Sequence, residues 1–224
     1  MLVFVDADVL ASPMTRTILI ITSLVSERFS LRWTLEAEAE ADKALRPGQT
    51  QVSDLRGRYH WGENVLVPDA TSTAINSLID TSEDDKHVLA AAKLSGIRVV
   101  ITRNIHDFGN NDLREAKISV VHPDLFLSNM VEEEDYRDVL EEISRGRVRP
   151  PRTPEELHSA LGIGHPLLFA SMRSAFPHTE AQPSVHRQPS ELFRGNHCFI
   201  CGKMLKNPNS LAYGVGPECS RTSL

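Results

Sequence analysis

Short runs rich in apolar residues mark the candidate strands in the first half of the chain. Residues 2–5, 98–102 and 118–121 read LVFV, RVVIT and ISVV, a composition typical of strands buried on both faces of a parallel sheet. Segments with helical patterns lie between and after them, at 14–25, 35–45, 82–94, 126–130 and 132–145. Strands that alternate with helices predict parallel β-α-β connectivity, and therefore an α/β fold in which helices flank a parallel sheet.

The composition changes near residue 145, where arginine and proline become frequent. The segment Thr153-Pro-Glu-Glu156 predicts another helix start, and residues 167–176 predict a last helix. Residues 177–189, rich in His, Pro, Gln and Ser, offer almost nothing with which to build a core. We therefore predict an α/β domain at 1–130, a helical extension at 131–176, a linker at 177–195 and a small C-terminal module at 196–224.

The charge of the chain excludes one class of function. The 224 residues are 41% hydrophobic and 24% charged, with a formal net charge of −6. This balance is incompatible with a protein whose whole surface binds nucleic acid, although a local basic strip remains compatible with it. The arginine-rich segment 145–152 is either such a strip, tracking an RNA backbone, or a solvated linker.

Cysteine usage and the start of the chain indicate the cytoplasm. All three cysteines lie in the last stretch of the chain, and three cannot form a closed disulfide framework. The first residues lack a basic region, and the apolar run at 18–25 is less than half of the roughly 20 residues that span a bilayer. We expect a soluble cytoplasmic protein that does not contact a membrane.

Four acidic residues are candidates for a metal site. Asp6 and Asp107 each follow a predicted strand, at the edge where parallel sheets place their ligands. Asp85 lies at a predicted helix start, and Glu40 lies within an acidic helix. Converging carboxylates repel one another unless a divalent cation neutralises them, and oxygen ligands favour Mg²⁺ or Mn²⁺ over zinc.

Each acid also has a structural interpretation. Asp85 follows Ser82 by three residues, which is the spacing of a capping box, and Glu40 could simply face solvent. Asp107 could belong to a turn. Only Asp6 demands a special reason, because an acid directly after a buried strand must be compensated.

Four motifs occur in a fixed order along the chain. They are VFVDADVL at 3–10, RWT at 32–34 before a glutamate-bearing helix, DDKHVLAAA at 84–92 and VITRNIHDF at 100–108. This set resembles the PIN-domain ribonucleases, above all toxins of VapBC-type toxin–antitoxin pairs, over residues 1–130. The resemblance implies a PIN-like sheet and assigns Asp6, Glu40, Asp85 and Asp107 as catalytic ligands of Mg²⁺ or Mn²⁺.

The sequence departs from the family pattern at one position and leaves a second open. Many members carry an acid where this chain has Asn104, so the fourth charge must come from Asp107. Glu36 and Glu38 compete with Glu40 for the helix position. Four further residues are expected outside the ligand set. Asp8 is expected to be a partner of Asp6, and Asp84 to face solvent. Thr102 or Asn104 could orient a water or a phosphate oxygen.

The implied reaction is hydrolysis of RNA phosphodiesters by a metal-activated water, which leaves a 5′-phosphate and a 3′-hydroxyl. The implied partners are an RNA substrate and a small antitoxin protein, and a homodimer is compatible with the sequence. One alternative is a catalytically inactive PIN-like scaffold whose tail binds protein or nucleic acid. Another is a DNA-directed flap-type nuclease that uses the same metal chemistry.

The C-terminal module contains a cysteine pattern. Cys198-x-x-Cys201-Gly and the later Gly-x-Gly-Pro-x-Cys219 are similar to small zinc-binding modules of unassigned role. His197 is the nearest candidate for a fourth Zn²⁺ ligand, and His186 is a weaker one. The alternative is a pair of reduced thiols without metal. Because a linker precedes it, we predict that the module shares no core with the α/β domain.

Overall fold

A computed structural model describes residues 1–58, 65–146, 151–180 and 187–220. Its sheet has the strand order β2-β1-β3-β4-β5. The strands are β1 (Leu2–Val5), β2 (Ser30–Arg32), β3 (Val99–Ile101), β4 (Ser119–Val121) and β5 (Phe193–Arg194). The first four pair in parallel, and β5 runs antiparallel to β4. The predicted α/β fold with a mostly parallel sheet flanked by helices is confirmed.

Helices occupy both faces of the sheet and continue beyond it. They are α1 (Ala7–Leu10), α2 (Pro13–Val25), α3 (Leu35–Ala44), α4 (Val52–Arg58), α5 (Ser72–Asn76), α6 (Lys86–Leu94), α7 (Asn110–Ala116), α8 (Pro123–Met130), α9 (Glu133–Gly146), α10 (Pro154–Gly164), α11 (Pro166–Ser171) and α12 (Pro208–Tyr213). No helix in the described ranges is long and apolar enough to cross a membrane.

Alternating side chains of the central strands feed two separate apolar cores. Val99 and Ile101 of β3 join the core that includes α2 and α9, whereas Val100 joins the core beneath α6 and α7. Strands β1 and β4 alternate in the same way. Burial on both faces explains why these strands read as continuous apolar runs.

The helical extension packs directly on the first domain. Helix α9 lies along α2, and the buried Tyr136 of α9 shares a hydrogen bond of 2.9 Å with Nδ1 of His158 on α10. The His158 ring in turn stacks on Phe169 at 4.3 Å between centroids. Thr153 and Glu156 form the capping box that starts α10. The domain boundaries at 130 and 176 stay predictions.

The C-terminal module packs on the α/β domain, so the prediction that it shares no core with that domain is wrong: Cys198, Phe199 and Val215 belong to the same apolar core as Phe126. Strand β5 pairs with β4, and the module buries Phe199 against Phe126 with 6.1 Å between ring centroids. Ser119 Oγ also donates to the carbonyl of His197 at 2.8 Å. The segment before residue 196 therefore ends in a strand, which is only two residues long and too short to show an alternating pattern.

Candidate functional site

Asp6 lies at the carboxyl edge of the sheet, directly after β1. Its backbone N–H donates to the carbonyl of Ile101, which continues the pairing with β3. Its side chain is only 5% exposed. Oδ1 caps α1 by accepting from the Ala7 N–H at 2.6 Å, and Oδ2 accepts from the Thr102 hydroxyl at 2.7 Å. The polar environment expected around this acid is therefore present.

Thr102 links two carboxylates. It follows β3, and its hydroxyl lies 2.7 Å from Asp6 Oδ2 and 3.4 Å from Asp8 Oδ1. Asp8 also accepts from the Arg103 N–H at 2.9 Å, and the Asn104 N–H donates to the Thr102 oxygen at 3.1 Å. Thr102 thus orients both acids, and Asp8 acts as a partner held by the loop after β3.

Asp85 and Asp107 are held together by one serine. The Ser82 N–H donates to the carbonyl of Asp107 at 2.7 Å, and the Ser82 hydroxyl donates to Asp85 Oδ2. Asp85 is half-buried at the N-terminus of α6, whereas Asp107 and Asp84, the residue before Asp85, are exposed. The spacing of Ser82 and Asp85 therefore serves to position the acid rather than to form a full capping box.

A buried acid that sequence reasoning missed supports this arrangement. Asp112 of α7 accepts hydrogen bonds from the N–H groups of Ile79, Asp80 and Thr81, which lead into Ser82. Asp80 accepts in return from the Asp112 N–H. A Cβ at Gly109 would lie 1.9 Å from the Asp80 carboxylate, so the close approach of the two loops requires glycine.

Burial raises the pKa values of three carboxyl groups in this region, and neighbouring charges add to the effect in two of them. Burial, together with the charges of Asp8 and Asp85, raises the pKa of Asp6 to about 7 against the Thr102 hydrogen bond. Burial raises the pKa of Asp8 to about 6. Burial, opposed by the Ser82 hydrogen bond and assisted by the charge of Asp107, raises the pKa of Asp85. The charges of Asp8 and Asp85 thus disfavour the ionisation of Asp6, and the charge of Asp107 disfavours that of Asp85.

Glu40 has partners other than the three aspartates: among the described residues, its ligand atoms group with those of Glu36 and His87 and not with those of Asp6, Asp85 or Asp107. Its side chain is 49% exposed, and Oε2 is 3.6 Å from Nε2 of His87 on α6. Ligand atoms of Glu36, Glu40 and His87 all lie within 4.8 Å of one another. Sequence reasoning missed His87, although it lies only two residues after Asp85 in the DDKH motif.

Glu38 serves the helix packing instead. It is buried and accepts hydrogen bonds from the Trp33 indole at 3.0 Å and from Nε of Arg56 at 3.1 Å. This side chain therefore compensates buried polar groups on a different face of α3. Glu36 and Glu40, one turn apart, face His87.

A second polar group that sequence reasoning missed lies at the end of β4. His122 follows that strand, and its Nδ1 accepts from the Asp124 N–H at 3.1 Å. His165 Nε2 lies 3.0 Å from the Thr15 hydroxyl. Burial, with the nearby charges of Arg187 and Arg103, lowers the pKa of His165 to about 4 and that of His122 to about 3. Two neutral imidazoles and two arginines therefore border the acidic edge.

Strand β5 also supports the loop that carries Asp107. Arg194 donates from Nη1 to the carbonyl of His106 at 2.7 Å and from Nε to Oδ1 of Asn110 at 3.0 Å. In the arginine-rich segment 145–152, Arg145 pairs with Glu141 and Glu142, and residues 147–150 lie outside the described residues, so the choice between an RNA-binding strip and a solvated linker stays a prediction.

The three cysteines form a compact cluster. Sulfur atoms of Cys198, Cys201 and Cys219 all lie within 4.8 Å of one another. A turn closed by the Gly202 N–H and the Cys198 carbonyl, 2.8 Å apart, brings the first two together. His197 stands outside this group of three, and its Nδ1 is buried without a hydrogen-bond partner among the described residues. His186 lies outside the described residues.

Comparison with known proteins gives two similarities. Residues 194–222 match the family of unknown function DUF6011. A Mycobacterium tuberculosis protein named "Putative ribonuclease VapC50" is 36% identical over 95 residues, which is 42% of this chain and 56% of the relative. The chain thus spans about half the length of the curated relative that it matches. No solved structure gives a significant match.

Proposed function

We propose that this chain is a PIN-type ribonuclease that hydrolyses RNA with Mg²⁺ or Mn²⁺ held by Asp6, Glu40, Asp85 and Asp107. The observation that carries the proposal is the set of mutually repelling acids at the carboxyl edge of the sheet, with the pKa of Asp6 raised to about 7. The similarity to a protein named as a ribonuclease of the VapC type supports the PIN/VapC family independently.

The donor set fits a divalent cation. In the part of the chain that the structure describes, no Lys or Arg nitrogen lies within 4.0 Å of a carboxylate oxygen of Asp6, Asp85 or Asp107. Hard oxygen ligands without thiol neighbours are those that Mg²⁺ and Mn²⁺ prefer. When bound, such an ion supplies an activated water and offsets charge on the phosphate.

The chain's own residues orient the substrate and the acids. Thr102 fixes Asp6 and Asp8, and Ser82 holds Asp85 near Asp107. Asn104 and Arg103 lie exposed at the rim, where an amide and a cation can contact a phosphate oxygen. Glu40, next to His87, is the ligand that α3 contributes in this proposal.

The biological role that we infer is the toxin of a type II toxin–antitoxin pair in the cytoplasm. Its partner would be a small antitoxin protein and its substrate an RNA, as expected for a VapC-type protein. A homodimer is part of the same proposal, and its test is the mass of the purified chain in solution.

The cysteine cluster is the second metal site of the proposal. Three thiolates within 4.8 Å of one another suit Zn²⁺. The fourth ligand that we propose is His197, which precedes Cys198 and has a buried Nδ1 without a hydrogen-bond partner among the described residues. Residues 194–222, which match the family of unknown function, contain all three cysteines. We expect about one zinc per chain by elemental analysis, and no zinc after reconstitution would contradict this site.

RNA cleavage with and without Mn²⁺ tests the proposal. Asp6→Asn should lower cleavage by at least about a hundredfold, because the amide removes a metal charge without leaving a cavity. Asp84→Asn is the matched control, since that neighbouring acid is exposed, and it should keep wild-type activity.

Three outcomes would overturn the proposal. Mn²⁺-dependent cleavage by a folded Asp6→Asn protein would remove Asp6 from the site. The absence of any cleavage by the wild type would favour an inactive scaffold. Faster cleavage of a DNA flap than of RNA would indicate a DNA-directed nuclease.

A further inference from the structure

A cavity of about 340 Å³ opens at the amino edge of the sheet, opposite the acids. Leu2, Val99 and Ser119, which lie at the starts of β1, β3 and β4, line its floor. The turn at residues 197–202, which carries the first two cysteines, lines its other side. Because the strands are parallel, this edge is separated from Asp6 by the length of the strands.

The cavity has the charge of an anion site. Two exposed cations, Arg98 and Lys117, line it, and no Asp or Glu does. Among the residues that the structure describes, neither cation has a carboxylate within 4.0 Å. In a chain of net charge −6, two uncompensated cations facing one concavity attract an anionic ligand.

The walls are apolar, which restricts the kind of anion. Leu2, Val99, Phe199 and Ile200 contribute them, and the Arg98 guanidinium extends over the turn, 3.2 Å from the position of a Cβ at Gly202. A free phosphate would leave this apolar surface in contact with water. A volume of 340 Å³ is at the lower end of the roughly 300–1,000 Å³ of ligand pockets, which suits one small ligand.

We infer that this cavity binds one nucleotide, with its phosphate at Arg98 and Lys117 and its base against the apolar wall. The inference rests on the proposed function in one respect: the RNA strand proposed there as substrate is one source of such a nucleotide, and a free mononucleotide is the other. In the RNA case, the site holds a strand away from the acids, so it strengthens substrate binding without taking part in hydrolysis.

Binding of a fluorescent single-stranded RNA to the full chain tests this inference. Asp6→Asn is present throughout, so that the RNA is not cut. The double substitution Arg98→Gln/Lys117→Gln should weaken binding about tenfold and reduce the slope of log K against log salt by about two. Arg137→Gln/Arg173→Gln removes the same charge from exposed positions of the helical extension that do not line the cavity, and it should change the affinity less than twofold.

A competition experiment distinguishes the two sources. If the cavity takes RNA, labelled RNA is displaced by unlabelled RNA at lower concentration than by a nucleoside monophosphate. If the cavity takes a free nucleotide, the double variant should bind the monophosphate more weakly than the parent protein does, while its affinity for RNA stays unchanged. Inorganic phosphate alone should compete weakly, since it lacks the base; equal competition by phosphate would contradict the nucleotide assignment.

Two further results would overturn the inference. One is equal weakening by both double variants, which would indicate general charge attraction. The other is loss of zinc from Arg98→Gln/Lys117→Gln, which would show that the cations serve the cysteine cluster. RNA cleavage by the chain with an intact Asp6 is measured separately. Loss of that cleavage would contradict the proposed function, whereas unchanged RNA binding by the double variant would contradict this site. In that active background the double variant should raise KM and leave kcat unchanged.

Discussion

The two edges of the parallel sheet carry opposite charge. Asp6, Asp85 and Asp107 gather at the carboxyl edge, whereas Arg98 and Lys117 border the cavity at the amino edge. Strands β1 and β3 reach both sites, with their carboxyl ends at the acids and their amino ends at the cavity. The direction of the strands therefore separates the charges, because β1 ends where α1 begins, whereas β3 and β4 start shortly after α6 and α7 end.

Helix ends account for this sorting. Asp6 and Asp85 are the N-cap residues of α1 and α6, where partial positive charge favours carboxylates. Lys117 is the C-cap residue of α7, where partial negative charge favours a cation. Helix ends explain the location of the charges but not the crowding of acids or the cavity, and those two features carry the functional proposals.

The largest expected effect concerns the module that covers the amino edge. Phe199→Ala should lower the free energy of unfolding by about 3–5 kcal/mol, because it removes a fully buried ring that packs on Phe126. Denaturant unfolding at constant zinc measures this change. A loss below about 1 kcal/mol would mean that the module folds independently of the sheet, as the sequence predicted.

The next effect is a dependence of stability on pH at the carboxyl edge. The pKa of Asp6, about 7, exceeds that of an unfolded Asp, so the folded protein binds a proton that the unfolded chain releases. This group's contribution to stability therefore falls as pH rises from about 4 to about 7. Without divalent cation, Asp6→Asn should be more stable than wild type by about 2–4 kcal/mol at pH 8, and the difference should vanish near pH 4.

Chemical denaturation of Asp6→Asn at the two pH values, with Asp84→Asn as control, measures the effect. Added Mn²⁺ should stabilise the wild type and leave Asp6→Asn unchanged, since only the charged site attracts the ion. If wild type and Asp6→Asn have the same free energy of unfolding at pH 8, then burial of the ionised Asp6 carboxylate does not destabilise the fold.

A smaller effect separates two glutamates of one helix. Glu38→Gln should lower stability by about 1–3 kcal/mol, because it weakens buried hydrogen bonds to Trp33 and Arg56, while cleavage by the folded protein stays unchanged. Glu40→Gln should do the reverse, with cleavage lowered about tenfold at unchanged stability. Thermal melts and initial cleavage rates of both variants decide this. If Glu36→Gln proves more damaging to cleavage than Glu40→Gln, the metal ligand lies one turn earlier.

The smallest effect concerns the contact between Arg194 of β5 and the loop that carries Asp107. Arg194→Gln should lower cleavage severalfold and stability by less than about 1 kcal/mol, because it releases two hydrogen bonds on the loop that carries Asp107. Arg137→Gln, on the exposed surface of α9, is the control. Equal cleavage by the two variants would mean that the loop holds its position without β5.

The central strands and the acids after them could be predicted from local sequence. Strands β1, β3 and β4 are buried on both faces, so their apolar runs are continuous, and an acid such as Asp6 directly after such a run is conspicuous. The position of Asp85 relative to Ser82 was visible in the same way. These signals involve neighbours in the chain.

Features that depend on distant contacts could not be predicted. Strand β5 is two residues long, so it shows no periodicity. His122 and His165 come together only because α11 packs on α8, and Asp112 meets the 79–81 loop across 31 or more residues of chain. The pairing of Glu40 with His87 likewise requires α3 and α6 to be adjacent, which no pattern within either helix indicates.

Strand β5 also closes an exposed border of the sheet. Without it, β4 would present unpaired backbone N–H and C=O groups to solvent, the kind of edge on which other chains add strands. If the cysteine cluster holds zinc, the order of β5 depends on the supply of that metal in the cell. Newly made chains that have not yet received zinc would then be prone to aggregation, and a shortage of zinc would reduce the amount of usable protein before it affected any chemistry.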